Sequence, residues 1–340
     1  MGDILHAIPA VLILRAMFPQ SEIGWVIENR WSELLRAHPG ANPLREEQPL
    51  VDCVHLVDTR KWRKNPLERE NRENAMASLR EVRQKKYDIA IDFQGAIKSA
   101  AVAKLSGASR RYGFADAWEK PAALLYTDKI RVDATHVVDR NKQLVMALAN
   151  SAVSEDVACA QLPQSDEGCI NKKLAELGLA HTFAILNPGA GWGAKQWPTE
   201  RYAEVARALG KHGIRSLINL GPGEESLAKL VEDQADGYAV AAQFTISELI
   251  AATRRASLFI GGDTGPLHLA AALKVPVVAL FGPTDPARTG PYGTRSIVLR
   301  NPASITSHKR NRETEAGLKN ITSAQVIAAA HELLSQGARA

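Results

Sequence analysis

Three groups of residues in this 340-residue chain have types and spacing suited to binding anions. Lys195 follows the glycine-rich run Gly189-Ala190-Gly191-Trp192-Gly193-Ala194. A lysine placed there can meet a phosphate as a point charge. Gly261-Gly262-Asp263-Thr264-Gly265-Pro266-Leu267-His268 follows a short apolar run, Leu258-Phe259-Ile260. Asp263 or Thr264 can cap a helix there, and Pro266 suits its first turn. The result is a strand, a tight turn and a helix N-terminus whose free N–H groups suit a diphosphate. Third, Arg60-Lys61-Trp62-Arg63-Lys64 puts four cations in five residues. Spread around a loop, they would hold a multiply anionic ligand such as an acidic sugar or a phosphorylated lipid. The plainer readings are a solvated lysine, an ordinary β-α turn and a solvated charge run.

Four further candidates surround these. Glu224 or Glu225 ends a strand, where a carboxylate can grip ribose hydroxyls or simply favour a helix dipole. His268 sits one turn into the glycine-turn helix, either to reach a ligand or to pack. Gln94 and Lys98 follow the strand Tyr87 to Asp92. Asp3, at a helix start, could take a proton from a hydroxyl or only cap the helix. The chain has no D-x-D pair and no Walker A sequence. Phosphates would then be neutralised by lysine and helix dipoles rather than by a metal. Gly189 to Ala194 fits G-x-G-x-x-G/A, but the bulky Trp192 and the lysine that follows do not suit a turn pressing backbone against pyrophosphate.

Strands and helices alternate around these residues. In the first half, a helix on the Ile4, Leu5, Ile8, Leu12 and Ala16 face precedes a strand at Ile23 to Ile27. Then come a helix at Trp31 to Ala37, a strand at Cys53 to Val57, a charged helix at about 68–85 and the Tyr87 to Asp92 strand. Helices follow at Gly95 to Leu105 and within 132–149. The stretch 151–179 is polar and reads as a linker with a leading helix. The second half has strands at Phe183 to Asn187, Arg215 to Leu220, 257–260 and 276–281. Its helices are Thr199 to His212, 225–235, 246–255, 266–273 and a closing one at Ser323 to Leu334. Phe281-Gly282-Pro283-Thr284-Asp285-Pro286 ends the last strand in a rigid turn. The predicted class is α/β, two Rossmann-like domains facing across a cleft, with ligands beyond the carboxyl ends of the strands. The expected division is 1–155, a linker at 156–178, 179–320, and a closing helix at 321–340 packing back on the N-terminal domain.

Composition is that of an ordinary globular protein, 45% hydrophobic and 23% charged. The net charge of +5 is too mild to point to nucleic acid by itself. Three cysteines in no metal-ligand spacing suggest a reducing compartment. No apolar run reaches the roughly 18 residues of a membrane span, and the opening lacks a basic region before an apolar core. The expected location is cytoplasmic.

With these residues assembled, the chain resembles the ADP-heptose:lipopolysaccharide heptosyltransferases (glycosyltransferase family 9), which have the GT-B fold. The resemblance is carried over nearly the whole chain by Gly262 to Ala272, Phe281 to Pro286 and the Lys195 segment with Trp197-Pro198. The first half is most similar to the heptosyltransferase I branch, through Met1-Gly2-Asp3-Ile4-Leu5-His6-Ala7-Ile8-Pro9-Ala10, Arg60 to Lys64, Asp92 to Ala100 and His136-Val137-Val138-Asp139-Arg140. It implies an inverting, cofactor-free transfer of heptose from ADP-heptose to Kdo of a lipid A–Kdo acceptor. The N-terminal domain would bind the acceptor and the C-terminal domain the donor. It also implies roles for residues. Asp3 is the base and Lys195 a catalytic and phosphate contact. Glu224, Glu225, Asp263, Thr264, Gly265, Leu267 and His268 serve the donor, and Arg60, Lys61, Arg63, Lys64 and Gln94 the acceptor. The anionic acceptor implies a peripheral place on the cytoplasmic face of the inner membrane; no nucleic acid is implied, and no protein partner can be inferred. Glu119 stands where the branch has an arginine. The family also has a strand before the segment matching Met1-Gly2-Asp3, so a gap in the first sheet, a loosened Asp3 and a start codon lying upstream are expected. Rival readings are heptosyltransferase II, a silent nucleotide-sugar-binding protein and, more remotely, a dinucleotide oxidoreductase.

Overall fold

The computed structural model describes residues 1–35, 50–149, 162, 167–307, 309 and 311–337. The chain folds as two units, an N-terminal one comprising most of Asp3–Pro163 and a C-terminal one, Gln164–Ala340, with which Met1–Gly2 group. Both are α/β with parallel strands, so the predicted class of two Rossmann-like domains holds.

The N-terminal unit opens with helix α1 (Gly2–Met17). Strand β1 (Gly24–Glu28) pairs in parallel with β2 (Cys53–Val57). Helices α2 (Thr59–Lys64) and α3 (Arg69–Gln84) lead to β3 (Ile89–Asp92), α4 (Ile97–Leu105), β4 (Arg110–Phe114), β5 (Asp128–Ile130) and α5 (Val137–Met146). Strands β3, β4 and β5 form a second parallel sheet. Among the described residues the two sheets are not hydrogen-bonded to each other, the gap expected from the sequence. Helix α1 packs against both: Ala10 and Ile13 cluster with Ile91 and Phe93, and Val11 with Ile23, Trp25 and Phe93.

Several expectations need correction here. The basic run is a short α-helix rather than a loop, because the Asp58 side chain caps it by accepting from the Lys61 N–H at 3.1 Å. Asp3 lies inside the first turn of α1 instead of capping it. The Trp31 to Ala37 helix is a 3-10 helix over Asn29–Leu34, and residues 36 and 37 fall outside the described residues.

The C-terminal unit begins with α6 (Glu167–Glu176), inside the expected linker, whose Ile170 and Leu174 enter the core. Strand β6 (Phe183–Asn187), α7 (Thr199–Lys211), β7 (Arg215–Leu220), α8 (Glu225–Asp233), β8 (Ala239–Gln243) and α9 (Ile246–Arg255) follow. Then come β9 (Leu258–Gly262), α10 (Gly265–Ala272), β10 (Val277–Phe281), α11 (Pro286–Thr289), β11 (Ser296–Arg300), α12 (Ala316–Lys319) and α13 (Ser323–Gly337). The sheet order is β11-β10-β9-β6-β7-β8, all parallel. That order reverses between β6 and β9, and the crevice at such a switch point is where doubly wound sheets bind ligands. Strands β6, β9 and β10 are buried along their whole length, which explains their unbroken apolar runs. The closing helix α13 contributes Val326, Ala329, Ala330 and Leu333 to the core of its own C-terminal unit.

Candidate functional site

The two loops at the switch point come from β6 and β9, and a lysine joins them. Lys195 ends a 3-10 turn, Gly193–Lys195. Its Nζ donates to Asp263 Oδ2 at 2.7 Å and to the Asp263 carbonyl at 3.1 Å, and lies 5.1 Å from the centre of the Trp192 ring. On its other oxygen Asp263 faces His268 Nε2 at 3.0 Å. An ionised carboxylate only accepts, so Nε2 carries the proton. Burial alone would raise the Asp263 pKa. The His268 hydrogen bond and charge, with those of Lys195, outweigh it and hold the carboxyl well below the ordinary range. Asp263 therefore serves this site by fixing Lys195 and His268, with both its oxygens engaged.

The sign of that shift gives a test. A carboxyl whose folded pKa lies below its unfolded value of about 4 adds stability at higher pH that is lost on acidification. The stability difference between the native chain and Asp263→Asn, read from urea midpoints, should be constant from neutral pH to about pH 5 and shrink below about pH 4. A difference that does not change with pH would show that Asp263 is not held ionised by its neighbours.

Helix α10 starts at Gly265 with Thr264 as its cap residue. The first-turn N–H groups of such a helix have no intrahelical acceptor. The Thr264 hydroxyl instead donates to the Gly262 carbonyl at 3.2 Å. Glycine at 262 lets the two loops approach, since a Cβ there would crowd the Lys195 carbonyl at 3.1 Å. Leu267 offers no side chain to a ligand: it is fully buried in the core. What remains of that assignment is its backbone N–H.

The structure separates the two glutamates that the sequence left as alternatives. Glu224 Oε2 accepts from the Gly221 N–H at 2.8 Å. The same carboxylate lies so close to Gly189 that a Cβ there would collide with it. Glu224 thus belongs to the loops after β6 and β7. Glu225 is exposed in the first turn of α8 and accepts from the Gly223 N–H at 3.1 Å. Backbone hydrogen bonds hold its carboxyl below the usual range.

Two buried asparagines that sequence reasoning missed brace the loop after β6. Asn219 Nδ2 donates to Asn187 Oδ1 at 2.6 Å. Asn187 Nδ2 donates to the Gly189 carbonyl at 2.9 Å and reaches Thr264 Oγ1 at 3.5 Å. The Tyr202 hydroxyl holds the Asn187 carbonyl at 3.2 Å. The one signal for them in the sequence is a polar residue at or near the end of each of two apolar strands. From the other side, Ala194 N–H donates to the Asn311 carbonyl at 3.1 Å and Glu315 N–H to the Ala194 carbonyl at 3.2 Å. A Cβ on Gly193 would overlap the Arg312 carbonyl.

In the N-terminal unit, Asp3 is exposed at the start of α1. Helix α1 is tied down by Asn141, which donates to the His6 carbonyl at 3.0 Å. Gln94 is exposed, in a turn built on buried Asp92. That carboxylate accepts from the Gln94 and Gly95 N–H groups at 2.9 and 3.2 Å, from Ser99 at 2.8 Å and from the Tyr126 hydroxyl at 2.6 Å. Arg60, Lys61, Arg63 and Lys64 are all exposed on α2. Thr59 and Lys98 converge on Glu28, the former by a hydrogen bond and the latter at 3.9 Å, so α2 lies beside the start of α4. Glu119, where an arginine was expected, accepts from the Ile97 N–H at 2.6 Å and so caps α4. Among the described residues no group of three or more His, Cys, Asp or Glu could hold a metal ion.

Comparison with known proteins identifies the family. Residues 76–319 match the model of glycosyltransferase family 9 (heptosyltransferase). Lipopolysaccharide heptosyltransferase 1 of Escherichia coli K12 is 29% identical over 89% of this chain and 91% of its own length. The Pseudomonas aeruginosa protein of that name is 27% identical over 88% and 81%. Lipopolysaccharide heptosyltransferase 3 of Escherichia coli K12 is 25% identical over 99% and 96%. Among solved structures, Escherichia coli heptosyltransferase WaaC with ADP superposes with a TM-score of 0.78 at 27% identity, covering 98% of this chain and 97% of that one. The family 9 glycosyl transferase of Veillonella parvula reaches 0.81 at 26%, covering 99% and 95%. The chain belongs to glycosyltransferase family 9, the heptosyltransferases, and is a glycosyltransferase.

Proposed function

We propose that the chain builds the lipopolysaccharide core by transferring heptose from ADP-heptose to Kdo of a lipid A–Kdo acceptor. The observation that carries this is the Lys195–Asp263–His268 cluster beside the N-terminus of α10, with Glu224 at the same sheet end. It is an anion site with a carboxylate suited to ribose hydroxyls, in a chain similar to a heptosyltransferase solved with ADP. Lys195 and the N–H groups of Thr264, Gly265 and Leu267 meet the diphosphate, and Glu224 orients the ribose. The acceptor hydroxyl attacks the anomeric carbon as its bond to the β-phosphate oxygen breaks. One displacement inverts that carbon. Asp3 receives the hydroxyl proton, and ADP leaves with its new charge stabilised by Lys195 and the helix dipole. Arg60, Lys61, Arg63, Lys64 and Gln94 hold the anionic acceptor. Such a substrate places the enzyme on the cytoplasmic face of the inner membrane; no helix of the described residues is long and apolar enough to cross it.

The test is ADP release on Kdo-lipid A acceptors with and without a first heptose. Turnover on the heptose-free acceptor is the expected result. Turnover only on the heptose-bearing acceptor would point instead to heptosyltransferase II, or to another member of the family such as heptosyltransferase 3, to which the chain is 25% identical. ADP-heptose binding by calorimetry without turnover on either would leave a silent binding protein.

A further inference from the structure

Large apolar side chains stand in water on one part of the N-terminal unit. Helix α4 and the 3-10 helix Lys120–Leu125 pack on each other through Ala100, Ala117 and Ala122. That buries their inner faces. Outside, Ile97 is 46% exposed, Leu105 50%, Trp118 56% and Leu124 77%. Ile97, Ala101 and Leu105 recur at every fourth position, so they form one stripe, about 12 Å long at the rise of a helix. Trp118 joins the head of the stripe: Glu119 bonds to the Ile97 N–H, and a Cβ on Gly95 would stand 3.0 Å from the Trp118 nitrogen.

Cations surround these residues. Lys98, Lys104 and Lys120 are exposed on the same two helices. Arg60, Lys61, Arg63 and Lys64 lie alongside, because Thr59 and Lys98 share Glu28. Just past α2, Leu67 is 89% exposed. The acids on these segments are already occupied. Glu28 has Thr59 and Lys98, Asp58 caps α2, Glu119 caps α4, and Asp116 takes two hydrogen bonds of 2.7 Å from Arg140. An exposed tryptophan and aliphatics set among exposed cations do not match water, and they do not match a polar protein partner. They match a surface that is anionic at the top and apolar just below.

We propose that this face docks on an anionic bilayer. Trp118, Ile97 and Leu124 enter the headgroup region, while α2, Lys98, Lys104 and Lys120 pair with lipid phosphates. The inference builds on the proposed lipid-linked acceptor and assigns the residues that bring the enzyme to it.

Co-sedimentation with vesicles tests it, using phosphatidylcholine alone and a mixture with about a third phosphatidylglycerol. The chain should pellet with the anionic vesicles and not with the neutral ones, and salt should release it. Ile97→Ser/Trp118→Ser/Leu124→Ser should lower the partition coefficient at least about tenfold, and Arg63→Ser/Lys64→Ser by roughly fivefold per charge removed. Transfer to a water-soluble, deacylated acceptor by the triple serine variant should be unchanged, which shows that the variant folds and separates docking from chemistry. Equal pelleting of the triple variant overturns the proposal. So does failure of the parent to bind anionic vesicles, or a parent dimer that the triple variant dissociates. If vesicle binding follows these expectations but no Kdo acceptor turns over, the acceptor reading fails and the docking face stands.

Discussion

Replacing Lys195 with alanine should lower kcat/KM for transfer by on the order of 10²–10³, about 3–4 kcal/mol, with much of the loss in kcat. The reason lies in what Lys195 leaves behind. Its Nζ sits 2.7 Å from Asp263, and both side chains are largely buried, 17% and 8% exposed. Without the lysine the carboxylate keeps only His268, and its negative charge remains beside the proposed diphosphate position. The variant loses an attraction and gains a repulsion. Asp263→Asn in the Lys195→Ala background should therefore recover part of the ADP affinity, measured by calorimetry, although the same change in the native chain frees Lys195 and weakens transfer. This non-additivity is the signature of a coupled pair. If the two changes simply add, Asp263 does not set the position or charge balance of Lys195.

The second large effect is expected at Asp3. Asp3→Asn keeps the shape and the helical first turn but cannot take a proton, so kcat should fall by roughly 10²–10⁴. ADP affinity should be unaffected, because the proposed donor contacts all belong to the C-terminal unit. Asp3 is exposed, so its loss should cost little stability. Thermal unfolding and ADP calorimetry on the variant separate a chemical defect from a folding one. Near-normal turnover with intact ADP binding would remove Asp3 as the base.

Much of the C-terminal unit is legible in the chain, because buried parallel strands print as unbroken apolar runs. Leu258-Phe259-Ile260 followed by two glycines, a cap residue and a proline marks β9, its turn and α10 with little ambiguity. Strands β4, β5, β8 and β11 escape such a reading for the converse reason. Arg110–Phe114 mixes charge with aromatics, and Asp128–Ile130 is too short to show a period. Ala239–Gln243 is mostly alanine, which has low strand propensity. Both β8 and β11 lie at sheet edges, where burial is partial. The basic run resembles a loop because its cap, Asp58, precedes a segment less than two turns long.

The candidate residues are legible as types, while their pairings are not. Lys195 and Asp263 are 68 positions apart, and nothing local in either segment announces the bond. The choice between Glu224 and Glu225 likewise depends on which one the chain turns toward Gly189. Glu119 is visible in the sequence only as a departure, and its use as a helix cap needs the backbone of a segment 22 positions away.

The segment that locks the turn before Lys195 has a consequence in time. Residues 311–315 hold Ala194 from the far end of the chain, and the Thr314 hydroxyl adds a bond of 2.9 Å to the Gln196 carbonyl. On a ribosome adding about 5–20 residues per second, the roughly 120 residues from Lys195 to this clasp take about 6–24 s to appear. Until then strands β6, β7 and β9 can pair, but the lysine turn has no wall to close on. The turn that carries Lys195 is thus among the last parts of the C-terminal unit to become rigid during synthesis, and a chain that stalls or is clipped before residue 311 would have all six strands of the sheet but not the clasp on the proposed donor site.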